Sequence, residues 1–126
     1  KVIADLDVRG GGPGAEAISL SGGNQQKIVI GREIGRAHRV LVAAHPTRGV
    51  DVGAIRRIRE ALLEERRRGR AVLLLSADLD ELFALADRII VLYRGRVAGE
   101  APTEEWSVEA LGRAMAGSRA AAKEAS

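Results

Sequence analysis

Leu20-Ser21-Gly22-Gly23-Asn24-Gln25-Gln26-Lys27 places a hydroxyl and two backbone amides free of side chains at the start of a helical run. At a helix N-terminus the unpaired N–H groups and the positive end of the helix dipole favour an anion such as phosphate. Glycine there lets a ligand come close to the backbone. The same residues also describe an ordinary serine cap after a flexible loop, and Ser-Gly-Gly alone leaves both open. Other reactive side chains are sparse. The 126 residues contain no cysteine, which excludes disulfides, thiolate metal sites and thiol catalysis. The two histidines, His38 and His45, cannot make a metal site by themselves.

The elements that must position these residues follow from pattern. Lys1 to Ile18 contains Gly10-Gly11-Gly12-Pro13-Gly14 and is expected to be a loop. A helix from about Gly22 to Gly35 begins at the Ser21 cap, with Ile28, Val29, Ile30 and Ile34 as its apolar residues. Val40 to Ala44 is a short apolar run that stops before Pro46, as a buried strand would. From Asp51 to about Arg68, Ile55, Ile58, Leu62 and Leu63 form one stripe under an arginine- and glutamate-rich face, and Gly69 ends the helix. Ala71 to Leu75 is a second apolar strand. Strand, helix, strand with continuous apolar strands predicts a parallel βαβ unit covered on both faces. Asp78 to Ala86 reads as a short helix. Arg88 to Tyr93 and Arg96 to Gly99 flank Arg94-Gly95 as an antiparallel hairpin expected to edge the same sheet. Ser107 to Ala116 is a terminal helix with Val108, Leu111 and Met115 inward, ended by Gly117, and residues 118–126 are expected to form a flexible tail.

Composition narrows the function classes. Hydrophobic residues are 46% and aromatic residues 2%, so a core must be built from Leu, Ile, Val and Ala, and an aromatic base-stacking module is disfavoured. The formal charge of +3 arises from arginines interleaved with acids, the pattern of a solvated surface. No apolar run approaches the roughly 20 residues that span a bilayer, so a membrane connection is expected to go through a partner.

Leu20 to Lys27, followed by a strand running into His45-Pro46-Thr47-Arg48-Gly49-Val50-Asp51-Val52-Gly53-Ala54, resembles ABC ATPases. The likeness is closest to the fused two-cassette ATPases of simple-sugar and nucleoside importers, and it extends from about Leu20 to Gly99. It implies an α/β fold: part of a P-loop NTPase (ABC ATPase) domain over residues 1–117, with a parallel βαβ core, a C-terminal antiparallel hairpin and a terminal helix. In that family two cassettes sandwich ATP and Mg2+, each site pairing the phosphate loop of one with the signature of the other. Ser21, Gly22, Gly23, Asn24 and Gln25 would then face the ATP held by the first cassette, in the same chain or a dimer mate. Asp51 would be the interface aspartate of the D-loop, a role compatible with capping the following helix. Further implied partners are membrane permease subunits and, indirectly, a solute-binding protein, with the chain peripheral at the cytoplasmic face of the cell membrane.

The pattern is broken in places. A phosphate loop needs Gly-x-x-x-x-Gly-Lys-Ser/Thr, and Lys1, Lys27 and Lys123 are the only lysines, none after a glycine. The family's phosphate loop lies upstream of the signature, so the chain is expected to be the C-terminal part of a second, degenerate cassette. Ala44 stands where an aspartate would help hold magnesium, and His45 where a glutamate would polarise the attacking water. A neutral imidazole could accept a proton, but it lacks the carboxylate beside it. Ala77 replaces the switch histidine. The expectation is a cassette that lends its signature, holds no metal of its own and is inactive alone. Two alternatives belong to other classes. One is a basic nucleic-acid module using Arg56, Arg57, Arg59, Arg66, Arg67, Arg68 and Arg70, against which Glu60, Glu64 and Glu65 would repel phosphate. The other is a nonfunctional fragment.

Overall fold

The structure, a computed structural model, describes residues 2–10 and 12–118. It divides into two units, Lys1–Ala77 and Asp78–Ser126. The first holds α1 (Val2–Asp5), α2 (Gly22–Ile34), β1 (Val40–Ala44), α3 (Val52–Arg67) and β2 (Ala71–Leu75). The second holds α4 (Leu79–Leu85), β3 (Arg88–Tyr93), β4 (Arg96–Pro102) and α5 (Val108–Met115).

In the first unit β1 and β2 pair in parallel, from Val40 opposite Ala71 to Ala44 opposite Leu75. The pairing continues past β1, where the His45 N–H donates to the Leu75 carbonyl at 2.8 Å. Between the strands, α3 starts where the Asp51 carboxylate accepts the Ala54 N–H at 2.9 Å, a side-chain cap. It buries Ala54, Ile58 and Leu62 and stops before Gly69, at φ +76°. Ile55 and Leu63, expected in the buried stripe, are only half-buried. Glu65 is fully buried instead. A carboxylate out of water needs charged partners, and it has Arg70 and, at 3.5 Å, Arg68, with His38 Nε2 2.7 Å away. His38 lies two residues before β1 and Arg70 directly before β2, so this cluster ties the strand starts to the end of α3.

Two further expectations are corrected in this unit. The opening stretch is not all loop, because α1 forms ahead of the glycines and Leu6 just after it is buried. On α2 the buried residue is Lys27, while Val29 is exposed. The parallel strands are not covered on both faces among the described residues. Leu41 points to the buried side, whereas Val40, Val42, Leu73 and Leu75 are exposed on the other.

In the second unit α4 begins at Asp78, whose carboxylate accepts the Glu81 N–H at 3.2 Å. The β3–β4 hairpin turns at Arg94 and Gly95, both at positive φ (+47° and +74°), as a two-residue turn matching the strand twist requires. It runs on to Pro102 opposite Arg88, further than Gly99, with a bulge at Val91/Leu92. Instead of edging the parallel sheet, the hairpin is a two-stranded sheet of its own. Its buried face, Ile89, Val91 and Ala101 with Trp106 after it, packs with α5. That helix is capped by Ser107 and turns Ala110, Leu111 and Ala114 inward. Val108 is exposed and Met115 half-buried, against expectation, because the face turned to the hairpin is the one that carries Ala110, Leu111 and Ala114. Of the expected tail, residues 119–126 lie outside the described residues.

Candidate functional site

The first turn of α2 and the loop leading into α3 line one cleft of about 650 Å³. Ser21, Gly22, Gly23, Asn24, Gln26 and Lys27 supply one wall, and Arg48, Gly49 and Asp51 the other. The walls touch at Gly23. A Cβ there would sit 2.8 Å from the Gly49 carbonyl oxygen, so any larger residue would force them apart. Gly22 has open space where a side chain would be, leaving its backbone free to meet a ligand.

The hydroxyl of Ser21 is oriented by its neighbours. Its Oγ accepts the Asn24 Nδ2–H at 3.1 Å and, more loosely, the Asn24 backbone N–H at 3.4 Å. Asn24 is held the same way round because its Oδ1 accepts the Arg9 N–H at 3.0 Å. A serine hydroxyl has two lone pairs and one proton. With both lone pairs engaged, the proton is left for an acceptor outside the helix. An anionic oxygen at the helix start would meet that proton, the free N–H groups of the first turn and the guanidinium of Arg48 at the rim.

The opposite wall is anchored by charge. The Lys27 ammonium donates to Asp51 Oδ2 at 2.8 Å and to the Asp7 carbonyl at 3.1 Å. That hydrogen bond from Lys27, then the one from the Ala54 N–H, lowers the Asp51 carboxyl to about 2. Asp7 is lowered as well, chiefly by its bond from Arg9, and it also faces Arg57 on α3 at 3.8 Å.

Of the residues singled out in the sequence, Ser21, Gly22, Gly23, Asn24 and Asp51 come together in this cleft. Gln25 does not line it, since its amide turns back to the Leu20 carbonyl at 2.9 Å. Gln26 lines it instead, reaching the His45 and Pro46 carbonyls at 3.4 Å each. Gln26 and Lys27 are functional neighbours that motif resemblance does not single out. Helical position offered a signal, because Gln26 and Lys27 follow Gly22 and Gly23 by four residues and so share their face. Ala44, His45 and Ala77 are grouped elsewhere, at the carboxyl ends of β1 and β2. His45 is exposed and takes φ +47°, a left-handed conformation strained for its side chain. The methyls of Ala44 and Ala77 offer nothing to a cation, and no group of three or more His, Cys, Asp or Glu side chains converges among the described residues. The cleft therefore suits a phosphate, whereas the strand ends do not suit Mg2+.

No family model matches the chain. Curated relatives do. The guanosine import ATP-binding protein NupO of Bacillus subtilis is 49% identical over 117 residues, which are 93% of this chain and 23% of that protein. The glucose import ATP-binding protein TsgD13 of Haloferax volcanii is 49% identical over 118 residues, 92% of this chain and 22% of the relative. The nucleoside import ATP-binding protein NupA of Lactococcus lactis is 44% identical, over 93% of this chain and 23% of its own length. The chain thus spans under a quarter of the length of these relatives. Among solved structures, the dimeric ATP-binding cassette MJ0796 in a post-hydrolysis state with ADP and Pi superposes at TM-score 0.72 with 23% identity, covering 81% of this chain and 44% of that one. An ATP-binding subunit of an ABC transporter superposes at 0.74 with 21% identity, over 96% and 48%. At that identity the structural likeness establishes the fold, that of part of an ABC ATPase cassette.

Proposed function

We propose that this chain, which belongs to the ABC-type sugar and nucleoside import ATP-binding proteins, presents Ser21, Gly22 and Gly23 to the γ-phosphate of ATP held by the phosphate loop of another cassette. The observation that carries this is the Ser21 hydroxyl at an open helix start, whose oxygen accepts both Asn24 N–H donors and so leaves its proton for an outside acceptor. Asp51 stands across the cleft as the interface carboxylate. The role of this chain's own residues is to bind and orient the phosphate through fixed donors that need no rearrangement as charge builds. Its own nucleotide face is degenerate. Ala44 and Ala77 supply no polar atom, and His45 has no carboxylate beside it, so the metal falls to the partner cassette and this chain by itself is inactive. The assembly docks on permease subunits at the cytoplasmic face of the membrane and energises import of a simple sugar or nucleoside delivered by a solute-binding protein. A nucleic-acid role is less well supported, because Arg56 and Arg67 on α3 and Arg68 just after it are engaged by Glu60 and Glu64 of that helix at 3.1–3.2 Å.

The test is a graft of this chain in place of the matching 117 residues of the B. subtilis guanosine import protein. The graft is expected to hydrolyse ATP, and Ser21→Ala to lower its kcat about 100- to 1000-fold, the scale of losing one fixed donor. Ala44→Asp with His45→Glu is expected to restore hydrolysis when the other site is disabled. A Ser21→Ala graft with unchanged kcat rejects the phosphate-facing role, and an unchanged rate in the double variant rejects degeneracy at the strand end.

A further inference from the structure

Lysine is rarely buried without a structural reason, and Lys27 is 3% exposed. It sits one turn beyond the phosphate-facing residues of α2, and its two bonds tie that helix to residues flanking two others. The ammonium holds Asp51 Oδ2 at 2.8 Å and the Asp7 carbonyl, just after α1, at 3.1 Å. Asp51 divides its carboxylate between two helices. Oδ1 caps α3 through the Ala54 N–H at 2.9 Å, while Oδ2 takes the lysine of α2. The starts of α2 and α3 are therefore linked through one side chain pair, alongside the close backbone approach of Gly23 to Gly49. Without the ion pair, the Gly23–Gly49 approach and the long bonds from the Gln26 amide to the His45 and Pro46 carbonyls, at 3.4 Å each, would be left to set the separation of its walls.

We propose that Lys27 is a positioning residue for the phosphate site: it fixes Ser21, Gly22 and Gly23 relative to Asp51, so that the phosphate contact and the interface carboxylate are presented as one rigid surface. This rests on the function proposed above. Lys27 touches no ligand itself, and its effect passes through Asp51 and the seating of α2. A displacement of about 1 Å in a positioning element is enough for a large loss of rate without loss of binding.

The experiment compares Lys27→Met, similar in length but uncharged, with Lys27→Arg in the grafted ATP-binding protein, reading kcat, KM for ATP and Tm. Lys27→Met is expected to lower kcat about 10-fold or more with KM changed less than about 3-fold, and Lys27→Arg to recover most of the rate by restoring the ion pair. A Lys27→Met protein that is folded at the assay temperature and keeps the parent kcat overturns the proposal. So does a rate loss that merely follows the fall in Tm, equal in both variants and reversed on cooling. Ser21→Ala separates the two ideas. If it leaves hydrolysis intact, the phosphate-facing role fails. If it abolishes hydrolysis while Lys27→Met does not, only the positioning role fails.

Discussion

At Ser21 the direction of one proton is decided by an amide three residues away. Asn24 can present its Nδ2 to the serine only while its Oδ1 faces the Arg9 N–H. Asn24→Asp keeps an acceptor for Arg9 but replaces the donor with a second carboxylate oxygen. The Ser21 proton would then turn inward to that oxygen and be lost to an incoming phosphate, whose charge the new carboxylate also repels. An acid in the first helical turn stabilises the helix, so the fold is expected to survive. The predicted result in the grafted ATPase is a kcat lowered about 10-fold or more with an unchanged or raised Tm. Parent-like turnover would show that the hydroxyl is not oriented through Asn24. The residue types of this site were legible from the sequence, but its wiring was not. Ser-Gly-Gly marks a helix start that can take an anion, yet nothing in the string distinguishes the amide of Gln25, folded back on Leu20, from that of Gln26, which faces the cleft.

At the scale of elements, the junction of α2 and α3 should respond to acid in a defined window. Asp51 has an ordinary carboxyl value of 3.8 lowered to about 2 by Lys27 first and the Ala54 N–H second. A depressed carboxyl stabilises the fold above its unfolded value and loses that contribution as pH falls through its folded value. The contribution of Asp51 is thus complete above 3.8 and is lost as pH drops toward about 2. The urea midpoint of the chain is expected to fall across that interval, and Lys27→Met to shrink this particular decline. Added salt should weaken the effect, because Asp51 is 63% exposed. An equal decline with and without Lys27 would mean that the pair does not govern the acid response. Helix starts were the best-read features of the elements, since Ser21, Asp51, Asp78 and Ser107 each accept a backbone N–H three residues on. Buried faces were read less well. Apolar spacing cannot announce a lysine or a glutamate whose burial depends on partners distant in sequence, as Lys27 does on Asp51 and Glu65 on His38.

On the scale of the whole molecule, the order of elements was legible because each strand and helix carries its own local signal, while the coverage of the sheet depends on what else packs there. Val42 and Leu73 face each other across β1 and β2 and are 61% and 56% exposed. Continuous apolar strands therefore predicted a sheet buried on both faces, and the described residues bury only one. Side chains already in water contribute little to folding, whereas enclosed ones contribute a great deal. Val42→Thr with Leu73→Thr should thus cost the chain no more than about 1 kcal/mol in urea unfolding, the range of surface changes. Ile58→Ala, at a fully buried position of α3, should cost about 2–5 kcal/mol. The threonine pair keeps strand-compatible branching and removes much of the apolar surface available for self-association. Sedimentation velocity on the same variants should show less concentration-dependent association than the parent chain. A large loss of stability from the threonine pair would instead mean that this face is enclosed within the folded chain in solution.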